Sequence, residues 1–190
     1  MGSVDLLPVG PVDEETLASV EESVRSVLGL DVRRLETRPV PGHAYDPSRN
    51  QHDSLRILSE VLDSSSPDAF RVLGVTEVDL FIPILTFVFG QAQVGGQAAI
   101  MSLARLRQEF YGLPPNPPIL RERAAKEALH ELGHTFGLVH CLDPVCAASL
   151  STNVRQVDAK EADFCTICAA LVARRLPAGS TVTGPGEVST

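Results

Sequence analysis

The chain has 190 residues, with 16 Lys plus Arg against 24 Asp plus Glu and a formal net charge of −8. That length suits one domain with a real core, and 44% hydrophobic with 21% charged residues excludes a disordered chain. A pI near 5.1 excludes a protein that grips nucleic acid or an anionic membrane through a basic face.

The first half alternates short apolar runs with helical patterns. Residues 4–9 predict a strand that ends at Gly10-Pro11. Asp13 then caps a helix in which Leu17, Val20, Val24, Val27 and Leu28 form one apolar stripe, closed by Gly29. Residues 32–36 are a second strand, and residues 39–49, rich in Pro, Gly and Asp, form a loop. Leu55, Leu58 and Leu62 mark a second amphipathic helix, stopped by Ser64-Ser65-Ser66-Pro67. Residues 70–75 and 80–89 are β-branched and aromatic, which predicts two strands buried on both faces. Residues 90–96 form a turn-like stretch, and 98–103 a further strand. This order gives an α/β fold with a small, mostly parallel sheet.

Prolines 114, 115, 117 and 118 break the chain before its second half. Residues 121–138, rich in Ala, Glu, Arg and Leu without an interior proline, predict a strong helix. Residues 158–176 predict the last helix, and 177–190 a flexible tail without periodicity. No basic and apolar leader precedes the first strand, Leu6 fails the myristoylation pattern, and the apolar run 80–89 is too short for a bilayer. A soluble, cytoplasmic monomer without nucleic-acid or membrane partners is expected.

The chemistry concentrates in His130-Glu131-Leu132-Gly133-His134-Thr135-Phe136-Gly137-Leu138-Val139-His140. His130 and His134, four apart on a helix, project from one face and can share one Zn²⁺ at ~2.0–2.1 Å. Gly137 permits the positive φ that ends the helix, so that His140 reaches the same metal from outside it. Glu131 stands beside the metal rather than on it. Three neutral ligands leave the fourth position to water, whose pKa zinc lowers toward ~7.

All four cysteines follow: Cys141 and Cys146 as C-x4-C, then Cys165 and Cys168 as C-x2-C. Two short-spaced pairs suit a tetrahedral Cys₄ zinc site, and the absence of a leader disfavours two disulfides. His140 and Cys141 then serve different metals, which requires extended backbone between them.

The segment 130–168 resembles the archaemetzincin signature, and residues 72–80 and 87–92 resemble strands of that family's sheet. The resemblance covers most of residues 1–176. It implies a compact metzincin-like zincin domain over 1–176, divided into 1–137 with the sheet and active-site helix and 138–176 with the Cys₄ zinc. His130, His134 and His140 carry over as catalytic-zinc ligands, Glu131 as general base, and the four cysteines as structural-zinc ligands, two Zn²⁺ per chain. The implied activity is peptide-bond hydrolysis on a peptide or protein substrate. One departure stands out: where the family places Met two residues beyond the second cysteine, this chain has Ala148. That exchange removes a thioether packed under the site but no ligand. The alternative it motivates is a catalytically impaired pseudopeptidase serving as a zinc-stabilised binding module.

Other residues receive lesser roles. His43 and His52 are expected to be solvated, and Tyr45 and Tyr111 are weak proton-donor candidates. Glu127 is expected in a surface salt bridge, and Phe87–Phe89 in a buried strand. The Gly-rich edge 91–96 is a candidate for pairing with an extended peptide.

Overall fold

Five strands form one sheet in the order β2-β1-β5-β8-β7, where β1 is Ser3–Val9, β2 Asp31–Arg34, β5 Arg71–Thr76, β7 Gly90–Ala92 and β8 Ala98–Ser102. The computed structural model describes residues 2–178 and 180–182. All pairings in this sheet are parallel except β7 with β8. A second, small sheet orders β3 (Tyr45–Asp46), β4 (Gln51–Asp53) and β6 (Leu80–Phe81).

Alternation along the central strands divides the core in two. Val4, Leu6, Leu73, Val75, Ala99 and Met101 face one side, where α1 (Glu14–Leu28) and α3 (Pro117–Thr135) contribute Leu17, Val24, Ala128 and Leu132. Leu7, Val9, Val72, Ala98 and Ile100 face the other, against Ile57, Leu58 and Val61 of α2 (Ser54–Asp63). Parallel strands covered on both faces are therefore apolar throughout. The C-terminal α4 (Val154–Ala159) and α5 (Thr166–Ala173) add Val157 and Val172 to the α1–α3 side, so the cysteine-rich segment shares the main core.

The helix ends follow their chemistry. Asp13 accepts from the Thr16 amide, and Gly29 ends α1 at φ 58°. Asn116 caps α3 through the Ile119 amide, and the prolines that follow occupy its first turn, where no amide is needed. The helix thus begins at Pro117, earlier than the expected 121, and ends at Thr135 because Gly137 adopts φ 84°.

Three expectations are corrected. Residues 80–89 are not one buried strand: β6 is two residues long, Pro83 interrupts it, and Ile84 is 86% exposed. Leu80 and Phe81 are buried in β6, whereas residues 85–89 are apolar because they line a cleft rather than a sheet interior. Residues 90–92 are an edge strand rather than a turn. The last helix is split, because residues 160–165 leave helical geometry, burying Lys160 and Phe164 between α4 and α5. Of the expected tail, Val182 packs against the core, while residues 179 and 183–190 lie outside the described residues.

Gly74 in β5 is the tightest point of the α2 face, since a Cβ there would meet Ile100 Cδ1 and Val61 Cγ2, each at 2.7 Å. Overpacking of that kind costs about 1–3 kcal/mol. Gly74→Ala should lower the urea midpoint by the corresponding amount at unchanged m-value; an unchanged midpoint would show that the two facing side chains yield freely.

Candidate metal centres

His130 and His134 lie on the last turns of α3, and His140 returns to them after the reversal at Gly137. Their ligand nitrogens all fall within 4.8 Å of one another. His130 Nδ1 is 2.8 Å from the Ala147 carbonyl, and His134 Nδ1 is 2.8 Å from the Leu138 carbonyl. A carbonyl only accepts, so both Nδ1 atoms carry the proton and both Nε2 atoms present lone pairs. Those two Nε2 atoms face each other at 3.2 Å. Two lone pairs so close repel unless a cation lies between them. The separation matches the edge of a tetrahedron, ~3.3 Å, for Zn–N bonds of ~2.0–2.1 Å. The donor set therefore fits zinc.

Burial, and after it the Lys160 charge, holds the His130 imidazole well below its ordinary pKa, keeping it neutral as a ligand must be. Glu131 is buried beside it, and its Oε2 has no hydrogen-bond partner among the described residues. Burial pushes its carboxyl well above the usual range, the Glu127 charge adds to this, and Lys160 opposes it. These residues line a cleft of about 460 Å³ whose opposite wall is the loop 85–89 and the edge strand β7. Ser151 Oγ, another buried polar atom without a partner among the described residues, lines the same cleft.

The four cysteines form no disulfide. Their sulfurs lie within 4.8 Å of one another, Cys141 and Cys165 at 3.8 Å. That is far beyond the ~2.05 Å of an S–S bond and equals the ~3.8 Å tetrahedral edge for Zn–S bonds of ~2.3 Å. The Asp143 amide donates to Cys141 Sγ at 3.4 Å, and the Cys165 amide to Cys146 Sγ at 3.3 Å, as thiolates require. Burial pushes the Cys146 and Cys168 thiols up, whereas at Cys165 burial is outweighed by hydrogen bonds with Cys168 and the other thiols, which lower it; a cation coordinated by thiols deprotonates them outright.

The remaining candidates separate clearly. Glu127 does form a salt bridge, but it is buried, not on the surface: Lys160 Nζ donates to its Oε1 at 3.3 Å and lies 3.4 Å from His130 Nδ1. Phe87, Val88 and Phe89 line the cleft rather than a strand. His43 is exposed beside Glu60, His52 is half-buried with its ring tilted against Tyr45, and Tyr111 donates to the Arg105 carbonyl; none of these lines the cleft. Two contributors escaped sequence reasoning. Lys160 is one of only two lysines in the chain, and Gly90 has no side chain because the Glu131 carboxylate occupies that space, 2.5 Å from where a Cβ would stand.

The profile of peptidase family M54 matches residues 43–174. The chain is 44% identical to the archaemetzincin of Methanocaldococcus jannaschii over 161 residues, 85% of this chain and 87% of that protein. The crystal structure of the Methanopyrus kandleri archaemetzincin superposes with a TM-score of 0.80 at 37% identity, covering 91% of this chain and 94% of that one. A zinc-dependent peptidase from Methanocorpusculum labreanum gives a TM-score of 0.81 at 30% identity, over 90% and 100% of the two chains. The chain belongs to peptidase family M54, the archaemetzincins, and is a zinc metallopeptidase.

Proposed function

We propose that the chain hydrolyses peptide bonds with His130, His134 and His140 as ligands of a catalytic zinc and Glu131 as general base. The observation that carries this reading is the facing pair of unprotonated Nε2 atoms with the unpartnered Glu131 carboxylate in the same cleft. Zinc at such a site polarises a carbonyl and acidifies water. Glu131 takes the proton from the attacking water and delivers it to the leaving amine nitrogen. Its burial strengthens it as a base. Lys160 balances the charge of Glu127, so Glu131 faces less repulsion from behind. The extended substrate adds as a strand along β7, which lies at the edge of the sheet and lines the cleft.

The second zinc belongs to Cys141, Cys146, Cys165 and Cys168. It staples the segment 138–176 as a C-terminal subdomain and contributes folding energy directly. Four free thiols in one cluster suit a reducing cytoplasm, and no helix among the described residues is long and apolar enough to cross a membrane. Ala148 favours a second reading, an impaired peptidase that binds peptide without cleaving it.

Incubation of the zinc-loaded protein with a mixed peptide library separates the two readings. Chelator-sensitive cleavage is expected, and its absence under every metal loading would leave the binding module. Glu131→Gln should lower turnover by about 10²–10⁴-fold, the usual worth of a positioned base, at unchanged zinc content by mass spectrometry; undiminished turnover would remove Glu131 from the mechanism. Gly90→Ala introduces a methyl into the Glu131 carboxylate and should cost kcat about 10²-fold through misplacement, with zinc retained. Normal kcat would mean that Glu131 works from another position. Cys165→Ser should reduce zinc from two equivalents to one and lower the thermal midpoint; two equivalents with an unchanged midpoint would refute the Cys₄ zinc.

A further inference from the structure

A second and larger cavity, about 710 Å³, adjoins the catalytic cleft, and Phe87 and Thr152 line both. Its wall departs from the cleft's apolar character. It carries Arg105, Arg123 and Arg155 against a single carboxylate, Asp158.

The three arginines differ in what they have left to offer. Arg123 is buried and spent: its Nε and Nη2 hold Asp158 at 2.6 and 2.8 Å, and its Nη1 donates to the Leu106 carbonyl at 2.6 Å. Asp158 is thereby neutralised. Arg105 gives its Nε and Nη2 to Asp79 at 2.7 and 2.8 Å, which leaves its Nη1 without a partner among the described residues. Its guanidinium lies over the Phe87 ring, 4.1 Å from the centroid, and so is fixed at the junction between the two cavities. Arg155, exposed on α4, has no ion-pair partner among the described residues. The cavity thus combines one uncompensated cation with one free, immobilised guanidinium N–H edge, a pairing suited to a carboxylate. The protein as a whole carries a charge of −8, so its overall field repels anionic peptides. A preference for them would have to come from a local site.

Resting on the peptidase reading above, we propose that this arginine-walled cavity is a substrate subsite that takes a carboxylate of the peptide running through the cleft. Arg155 supplies the charge and Arg105 the fixed donor. An acidic side chain or the C-terminal carboxylate provides the same chemistry, and the experiment distinguishes them.

Fluorescent decapeptide pools of apolar sequence, bearing one Glu or one Gln and ending as acid or amide, are titrated by anisotropy into the zinc-loaded Glu131→Gln protein. The same pools are then followed for cleavage by the wild type. A charge-assisted hydrogen bond makes the carboxylate pools bind about tenfold tighter, through the Glu arm if a side chain is read and through the acid arm if the terminus is. Arg155→Ala, at an exposed helical position, should bring that ratio close to one, and Arg155→Glu should invert it. Equal affinities on both arms, a ratio that survives Arg155→Ala, or no binding by any pool would overturn the subsite. Lack of cleavage by the wild type, with the binding ratio intact, would instead count against the peptidase reading and leave the subsite standing.

Discussion

Two hydrogen bonds to main-chain carbonyls decide what the histidine cluster can be. By engaging Nδ1 of His130 at Ala147 and of His134 at Leu138, they fix both tautomers and aim both Nε2 lone pairs into one space. The carbonyls come from chain that has left α3. Leu138 follows the reversal at Gly137, and Ala147 lies in the turn beyond the first two cysteines. The helix alone brings two rings to one face; the residues after it determine which nitrogen of each ring is available. The reversal at φ 84° therefore governs ring orientation as well as the return of His140.

The gathering of the histidines and of the cysteines was legible because it is local. A helical repeat of four, a glycine where a helix must reverse, and paired cysteines each follow from spacing alone. The central sheet was legible for a related reason: parallel strands buried on both faces are apolar without alternation. That same criterion extended the strand at 80–81 over residues 82–89, because an apolar cleft wall at 85–89 and a buried strand share a composition. Pro83 was the sign against it. The split between α4 and α5 was hidden because it is set by tertiary demand: Lys160 leaves the helix to reach Glu127, 33 residues away. Gly90 is the extreme case. Its reason for being glycine is a carboxylate on another element, and no local pattern could reveal it.

The Lys160–Glu127 pair is fully enclosed, with side-chain exposures of 0% and 2%. Burying two charges costs more in desolvation than their attraction returns unless the geometry is good, so such a pair is weak evidence for stability. Its position gives it another meaning. Glu127 and Glu131 are one helical turn apart on the same buried face, and two uncompensated carboxylates there would repel. A lysine set behind them neutralises one and leaves the other unpartnered at the cleft. Against His130 the same ammonium disfavours a protonated ring, which keeps the imidazole available as a ligand.

The consequence of Ala148, where the resemblance implies a Met, can be judged from what holds the turn in place. The Ser149 amide donates to the Cys146 carbonyl at 2.9 Å, the Ala147 amide to Asp163 at 2.8 Å, and the Cys141 amide to the Ala148 carbonyl at 2.9 Å. None of these bonds involves a side chain at 148. The turn is instead tied at both ends to the cysteine cluster. Cys146 immediately precedes the residue that orients His130, and Cys141 immediately follows His140. The turn is thus held by main-chain bonds and by the four sulfurs, without help from the side chain at 148. Disturbing that cluster should therefore reach the histidines through both connections.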